Sequence, residues 1–244
     1  HAVSHLTAEL YELHDRGQFE IHAFSFGQDT KDEFNLRIKA GVDHYHDIWS
    51  LSDKHVVMLS RSEKIDIAVD LGGFTKSSRT GIFAMQAAPV QVNYLGYSGT
   101  MAADYMDYII ADHIIIPENK KQHYSESIAY LPYSYMVTDS KTKKPKIQFT
   151  REDAGLPVNG FVFCCFNQHY KISPATFMSW MRILIQVEGS VLWLSEPNSN
   201  IISNLKKEAI KNGVEESRLI FAPRLAFKED HLSRLKLADL FIDT

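Results

Sequence analysis

The 244-residue sequence predicts an α/β protein built on parallel sheets. Three observations carry that reading. Short apolar runs alternate with segments of helical period along the chain. Glycines follow several of these runs, where parallel α/β sheets place their ligand-binding loops. The second half reads as an unbroken β-α-β-α-β-α-β order, which right-handed crossovers turn into one parallel sheet.

In the first half, residues 4–14 have a helical pattern and 20–26 read as a strand. A strand over 65–71 runs into Gly72-Gly73, a helix is expected after Thr75, and a strand over 90–95 ends at Gly96. Residues 108–111 and 128–131 are also strand-like. The stretch TDSKTKKP (138–145) is polar and lysine-rich, and it reads either as a linker or as a loop within one domain.

In the second half, 161–166 is a buried-strand run. Ser173-Pro174 then reads as N-cap and first helical residue. Phe177, Trp180, Met181, Leu184 and Ile185 follow at the spacing of one helical face, and Gly189 closes that helix. Strands over 191–194, 219–222 and 240–243 alternate with helices over 201–211 and 229–238.

Composition narrows the function classes. With 45% hydrophobic and 23% charged residues, the chain is globular rather than disordered. A formal net charge of −4 argues against a nucleic-acid partner. The two cysteines, Cys164 and Cys165, are adjacent, cannot make a disulfide framework, and fit a reducing, cytoplasmic compartment. Adjacent strand positions face opposite ways, so both read as core. No apolar run is long enough to span a bilayer, so no membrane partner is expected.

Two clusters carry possible chemistry. Phe166-Asn167-Gln168-His169-Tyr170-Lys171 lies between a strand end and the helix capped at Ser173. Lys171 offers a cation, Asn167 and Gln168 offer amides, and the helix start favours a phosphate. The same residues also fit a plain polar loop with a surface lysine. Lys228, His231 and Arg234, three residues apart at another strand-to-helix junction, could read a base and hold ribose or phosphate. From the residues alone a solvated helix start, with Glu229 and Asp230 complementing the dipole, fits them better. The glycine loops at 72–75 and 95–100 match neither a dinucleotide fingerprint nor a P-loop. Asp66 and Asp70 share a strand face but form no evident acid/base pair. His44 and His46 carry no familiar metal-ligand spacing, and Ser134 and Ser195 lack a nucleophile elbow.

Taken together, several stretches are familiar. FVFCCFNQHYKISP (161–174), SVLWL (190–194), RLIFAPR (218–224) and KEDHLSRLKLADLFIDT (228–244) resemble the catalytic region of the protein O-GlcNAc transferase family, including its bacterial and Spindly-type members. In the first half HAVSHL (1–6), IDIAVDLGGFT (65–75), RTGIFAMQAAPVQVNYLGYSGT (79–100), MDYIIADHIIIP (106–117) and HYSESIAYLP (123–132) match in the same order. The resemblance implies a GT-B glycosyltransferase of two Rossmann-like lobes, with residues 1–137 in the first, 138–149 as linker and 150–244 in the second. It implies inverting transfer of GlcNAc from UDP-GlcNAc to Ser and Thr hydroxyls of proteins, without a metal or other cofactor. Its partners are then a UDP-sugar donor and protein acceptors.

Carried over by motif, Lys171 and Gln168 contact the donor phosphates and Tyr170 flanks them. Ala226 (through its backbone), Lys228 and His231 recognise the uracil, with Arg234 close by. Leu95 and Gly96 line the sugar pocket, and His1 lies near sugar and diphosphate as a candidate catalytic group. The sequence departs from the family at Ser98, where many members have proline, and in the length of 224–228. The resemblance also implies a fragment: a first strand before His1, a helical TPR array upstream and a pyrophosphate-gripping His-Thr-Thr motif past Thr244 are expected elsewhere in the protein. Related donors (GDP-fucose, UDP-glucose) or an inactive binding module are the alternatives.

Overall fold

The structure, a computed structural model, describes residues 2–141, 143 and 145–244. The chain forms two compact units, 1–141 and 142–244. Both are α/β with exclusively parallel pairing among the described strands. Among the described residues no helix is long and apolar enough to cross a membrane.

The first unit contains α1 (Ala2–Leu13), β1 (His22–Ser25), α2 (Glu33–Gly41), β2 (His44–Asp47), α3 (Asp53–Ser62), β3 (Ile67–Asp70), α4 (Thr80–Ala84), β4 (Val90–Asn93), β5 (Tyr108–Ala111) and β6 (Ser127–Tyr130). Strands β3 to β6 form one sheet in chain order, while β1 and β2 pair separately. Ile48, Val56, Val57, Ile82 and Ala87 form a core cluster, joined by Phe24 from β1 and Ala68 from β3. Ile109, Ala111 and Ile116 form a second.

Two sequence expectations change here. The helix expected directly after Thr75 is a run of turns, and only the five residues of α4 are helical. Asp70 is the reason: its Oδ1 accepts from the backbone N–H of Gly72 at 2.8 Å and of Gly73 at 3.0 Å, which curls the chain as it leaves β3. Elements α2, β2 and α3 had no counterpart in the sequence reading. Strand β2 (His-Tyr-His-Asp) has no apolar run, and the helices announce themselves mainly through their caps. Asp32 accepts from Asn35 N–H and Ser52 from His55 N–H.

The second unit contains β7 (Val162–Cys165), α5 (Pro174–Gln186), β8 (Val191–Ser195), α6 (Ser199–Lys211), β9 (Leu219–Ala222), α7 (Lys228–Arg234) and β10 (Leu240–Phe241). The helix expected over 229–238 is α7 followed by a single 3-10 turn, Leu235–Leu237. The sheet order is β9-β8-β7-β10. The chain lays down β7, β8 and β9 in one direction, then returns to place β10 on the other side of β7. That reversal makes a topological switch point between β7 and β10, where an open α/β sheet leaves a crevice beyond its strand ends.

Side-chain alternation along the strands splits the core in two. Phe163, Cys165, Leu192, Leu194 and Leu219 face α5 and α6, against Phe177, Trp180, Met181 and Leu184. Val162, Cys164, Val191, Trp193 and Ala222 face the other way, against Phe166, Leu237 and Ala238. Ile185 is the exception to the expected α5 face and is exposed. It lies eight residues past Phe177, about 80° around the helix from it. Burial raises both cysteine thiols, Cys164 to about 11, so both stay protonated at neutral pH.

The lysine-rich stretch around 138–145 is anchored at its two ends. Asp139 accepts from Arg37 at 2.6 and 3.2 Å, and Ser140 donates to Glu9 through N–H and Oγ at 2.5 and 2.8 Å, all within the first unit. In the second unit, Asp230 is 2% exposed and accepts from the N–H groups of Lys146 and Ile147 at 2.9 and 3.1 Å.

Candidate functional site

The loop that follows β7 occupies the switch point of the second unit. Its residues fall into two sets. Asn167 and His169 are committed to the protein. Asn167 Nδ2 donates to Asp243 Oδ1 at 2.6 Å and to Thr244 Oγ1 at 3.0 Å, tying the end of β7 to the segment after β10. His169 Nε2 lies 2.7 Å from the backbone carbonyl of Ser195, tying the loop to the end of β8. An acceptor at that distance requires Nε2 to carry the proton.

The second set is Gln168, Tyr170 and Lys171. All three are exposed, Tyr170 at 84%, and none makes a side-chain hydrogen bond or ion pair among the described residues. A single 3-10 turn, His169–Lys171, delivers Lys171 to the start of α5. There Ser173 Oγ accepts from Thr176 N–H at 3.1 Å and Pro174 occupies the first turn. A rigidly held loop thus presents an amide and an ammonium beside the positive end of a 13-residue helix. Such a constellation suits a phosphate.

The second cluster is connected to the first through Phe166. The Phe166 ring makes edge contacts with Trp193 at 5.0 Å and with His231 at 5.4 Å. The Arg234 guanidinium lies 5.2 Å from the Phe166 centroid and 5.9 Å from that of Trp193. Arg234 is 5% exposed, donates to Pro223 O at 2.5 Å, and reaches His231 Nδ1 with Nε and Nη2 at 3.2 and 3.0 Å.

This geometry fixes the state of His231. A guanidinium has only donors, so Nδ1 must be the acceptor and the ring proton sits on Nε2. Burial lowers the His231 pKa, and the Arg234 charge lowers it further. The result is a neutral imidazole, oriented from below and half-buried. Arg234, expected to lie close to the ligand, is buried; its guanidinium donates to His231 and Pro223 and lies against two aromatic rings. Ala226 lies on the exposed approach to α7, and Lys228 is that helix's exposed first residue.

In the first unit, Leu95 and Gly96 form a tight turn after β4. Leu95 has φ +73° and a buried side chain. Left-handed backbone at a leucine is strained and persists only where the surroundings enforce it. Gly96 is obligatory, because a Cβ there would lie 2.2 Å from Leu71 O. Asn93, fully buried, donates through Nδ2 to Tyr97 O at 3.0 Å and Gly99 O at 3.3 Å, shaping the rest of the loop. His1 lies outside the described residues. Sequence reasoning gave no role to His169, Trp193 or Asn93. Only the position of His169 inside a motif-like loop could have drawn attention to it.

A family model described as glycosyl transferase family 41 matches residues 1–150 and 138–244. The chain belongs to glycosyl transferase family 41. Over its whole length it is 35% identical to a probable UDP-N-acetylglucosamine–peptide N-acetylglucosaminyltransferase, SEC, of Arabidopsis thaliana, of which it covers 25%. It is 24% identical to the UDP-N-acetylglucosamine–peptide N-acetylglucosaminyltransferase of Caenorhabditis elegans, covering 31%. Among solved structures, a lysine-to-methionine mutant of the Thermobaculum terrenum O-GlcNAc transferase superposes with a TM-score of 0.87 and 26% identity, covering all of this chain and 46% of that one. The family 41 chain thus has the GT-B type of α/β fold, and it spans about a quarter of the length of the first curated relative.

Proposed function

We propose that this chain supplies donor-binding and catalytic residues for transfer of N-acetylglucosamine from UDP-N-acetylglucosamine to Ser or Thr hydroxyls of proteins. One observation supports this reading above the others: Asn167 and His169 pin the switch-point loop, leaving Gln168 and Lys171 uncommitted at the start of α5, while Phe166 connects that loop to a neutral His231. The family membership and the names of the relatives point the same way.

In this reading His231 stacks on the uracil, and Lys228 and the Ala226 backbone hydrogen-bond its edge. Gln168 and Lys171 hold the diphosphate, with Tyr170 alongside. Arg234 acts through His231 as a positioning residue. Leu95 and Gly96, with the leucine side chain turned into its own core, face the sugar through their backbone. His1 is the assigned group near sugar and diphosphate, on motif likeness.

The reaction is a single displacement. The acceptor oxygen bonds to the anomeric carbon as the bond from that carbon to the β-phosphate oxygen breaks, so configuration inverts. The acceptor hydroxyl loses its proton, and the electron pair of the broken bond stays on UDP. Negative charge grows on the diphosphate, and the Lys171 ammonium with the α5 dipole meets it, in place of a metal ion. Loss of one such charge-stabilising contact costs about 10²–10³ in rate.

Calorimetry on the full-length protein tests the donor assignment. UDP should bind with a clear preference over GDP, and His231→Ala should weaken UDP binding by removing the stacking surface. Equal or preferential GDP binding would refute the uracil reading.

A further inference from the structure

Four titratable side chains converge on one face of the β1–β2 pair. In the parallel register His22 opposes His44 and Phe24 opposes His46, and residues two apart on a strand share a face. Glu20, two residues before His22, comes to the same place. Its Oε1 lies 2.7 Å from His44 Nε2 and 3.6 Å from His22 Nε2. The other nitrogen of His22, Nδ1, lies 3.1 Å from His46 Nε2. The His22 ring is tilted 30° to that of His44, with centroids 4.4 Å apart, and stacks on that of His46 at 5.4 Å. Phe24 stacks on His46 at 4.6 Å. Glu63, the C-cap of α3, also approaches His22 and His46, with donor atoms within 4.8 Å of one another.

We propose that Glu20, His22 and His44 form a binding site for a divalent transition-metal cation of the zinc type, with His46 orienting His22. The donor set comes first. Two imidazoles and one carboxylate suit zinc and its borderline neighbours far better than magnesium or calcium, which demand oxygen cages. Geometry comes second. A tetrahedral ion with ligand bonds of about 2.0–2.2 Å holds its donor atoms about 3.3 Å apart. The separations of 2.7 and 3.6 Å bracket that spacing, so small side-chain movements would complete the site.

Preorganisation is the third argument. A ligating histidine characteristically has its second nitrogen held by another group. His22 has that partner in His46, and its side chain is only 7% exposed. Glu20 and His44 are open to solvent, which gives an entry path and room for a water as fourth ligand. A simple Glu20–His44 ion pair accounts for two of these residues. It does not account for His22 Nε2 turning toward the same carboxylate oxygen.

The cluster sits at the amino ends of β1 and β2, opposite to the strand ends where α/β sheets do their chemistry. It therefore acts as a strap between two strands that share only four register pairs. A cation that binds the folded state alone stabilises it in proportion to the logarithm of its excess over Kd. This site is independent of the sugar-transfer reading.

The test is titration of chelator-treated protein with zinc chloride, followed by calorimetry and thermal melting, with magnesium chloride as the comparison ion. One zinc per chain should bind, Tm should rise with zinc, and magnesium should do neither. Glu20→Gln and His44→Ala, both at exposed positions, should each weaken binding by more than about tenfold. His46→Phe should weaken it by about tenfold through loss of orientation. Zinc binding that is absent, or that is unchanged in both Glu20→Gln and His44→Ala, would overturn the proposal.

Discussion

Asn167 and Asp243 meet across the switch point of the second sheet, the amide Nδ2 donating to the carboxylate at 2.6 Å. The bond joins strands that are neighbours in space and far apart in the chain. It fixes where the loop carrying Gln168 and Lys171 leaves β7. Asn167→Ala should cost about 0.5–1.5 kcal/mol of stability and a several-fold loss of UDP affinity. Asn167→Asp should be worse in both, because it sets a second carboxylate against Asp243. Denaturant unfolding and UDP calorimetry on the two variants check the order.

Arg234 and His231 form a one-way hydrogen bond, with the guanidinium always the donor. Arg234→Met keeps much of the side-chain volume and removes both the donor and the charge. Burial would still depress the His231 pKa, but less than now, so NMR titration should find it higher than in the parent protein. Stability should fall by about 1–3 kcal/mol, because Pro223 O and His231 Nδ1 lose their partner.

Acid sensitivity follows from the same histidine. The His231 pKa lies below its ordinary value of 6.5, mainly through burial, and that of His46 is lowered for the same first reason. Between the lowered folded value and 6.5 the unfolded chain binds more protons than the folded one, so stability rises with pH across that window. It is full above 6.5 and declines as pH falls toward the folded value. Carboxylates with lowered pKa, such as Asp112 and Asp153, lose their contribution only below about their ordinary value of 3.8. Chemical denaturation across this range should show the histidine slope first, and His231→Gln should flatten it.

The first-unit loops make a prediction about backbone space. Gly96→Ala should destabilise by about 1–3 kcal/mol, since its Cβ would lie 2.2 Å from the backbone carbonyl oxygen of Leu71 and force the backbone to shift. Gly27→Ala is the control: a Cβ there meets nothing within 4 Å, and its effect should stay within about 0.5 kcal/mol. Paired denaturation curves compare the two.

The second unit was far more legible in the sequence than the first. Strands β7, β8 and β9 are dense apolar runs, and α5 declares its cap and buried face through Ser173-Pro174 and the Phe177–Trp180–Met181–Leu184 spacing. Strand β2 hid because histidine and tyrosine fill the positions where a pattern search wants apolar residues. Gln168 and Lys171 were readable as polar groups at a strand end. The anchoring roles of Asn167 and His169 were not, since their partners Asp243 and Ser195 are brought near only by the sheet order. The Phe166–Trp193–Arg234 stack is likewise a product of strands and a helix meeting in space. The histidine site was invisible for the same reason: its spacing lies across two strands rather than along one.

Lys171 brings to the switch point an ammonium with no hydrogen bond or ion pair among the described residues. The direct test is the rate of N-acetylglucosamine transfer from UDP-N-acetylglucosamine to a protein acceptor by the full-length protein and its Lys171→Met variant, with Tm measured alongside. Because Lys171 is exposed and makes no protein contact through its ammonium among the described residues, Tm should be unchanged. The turnover rate should fall by about 10²–10³. Transfer at the parent rate by the folded variant would contradict the account.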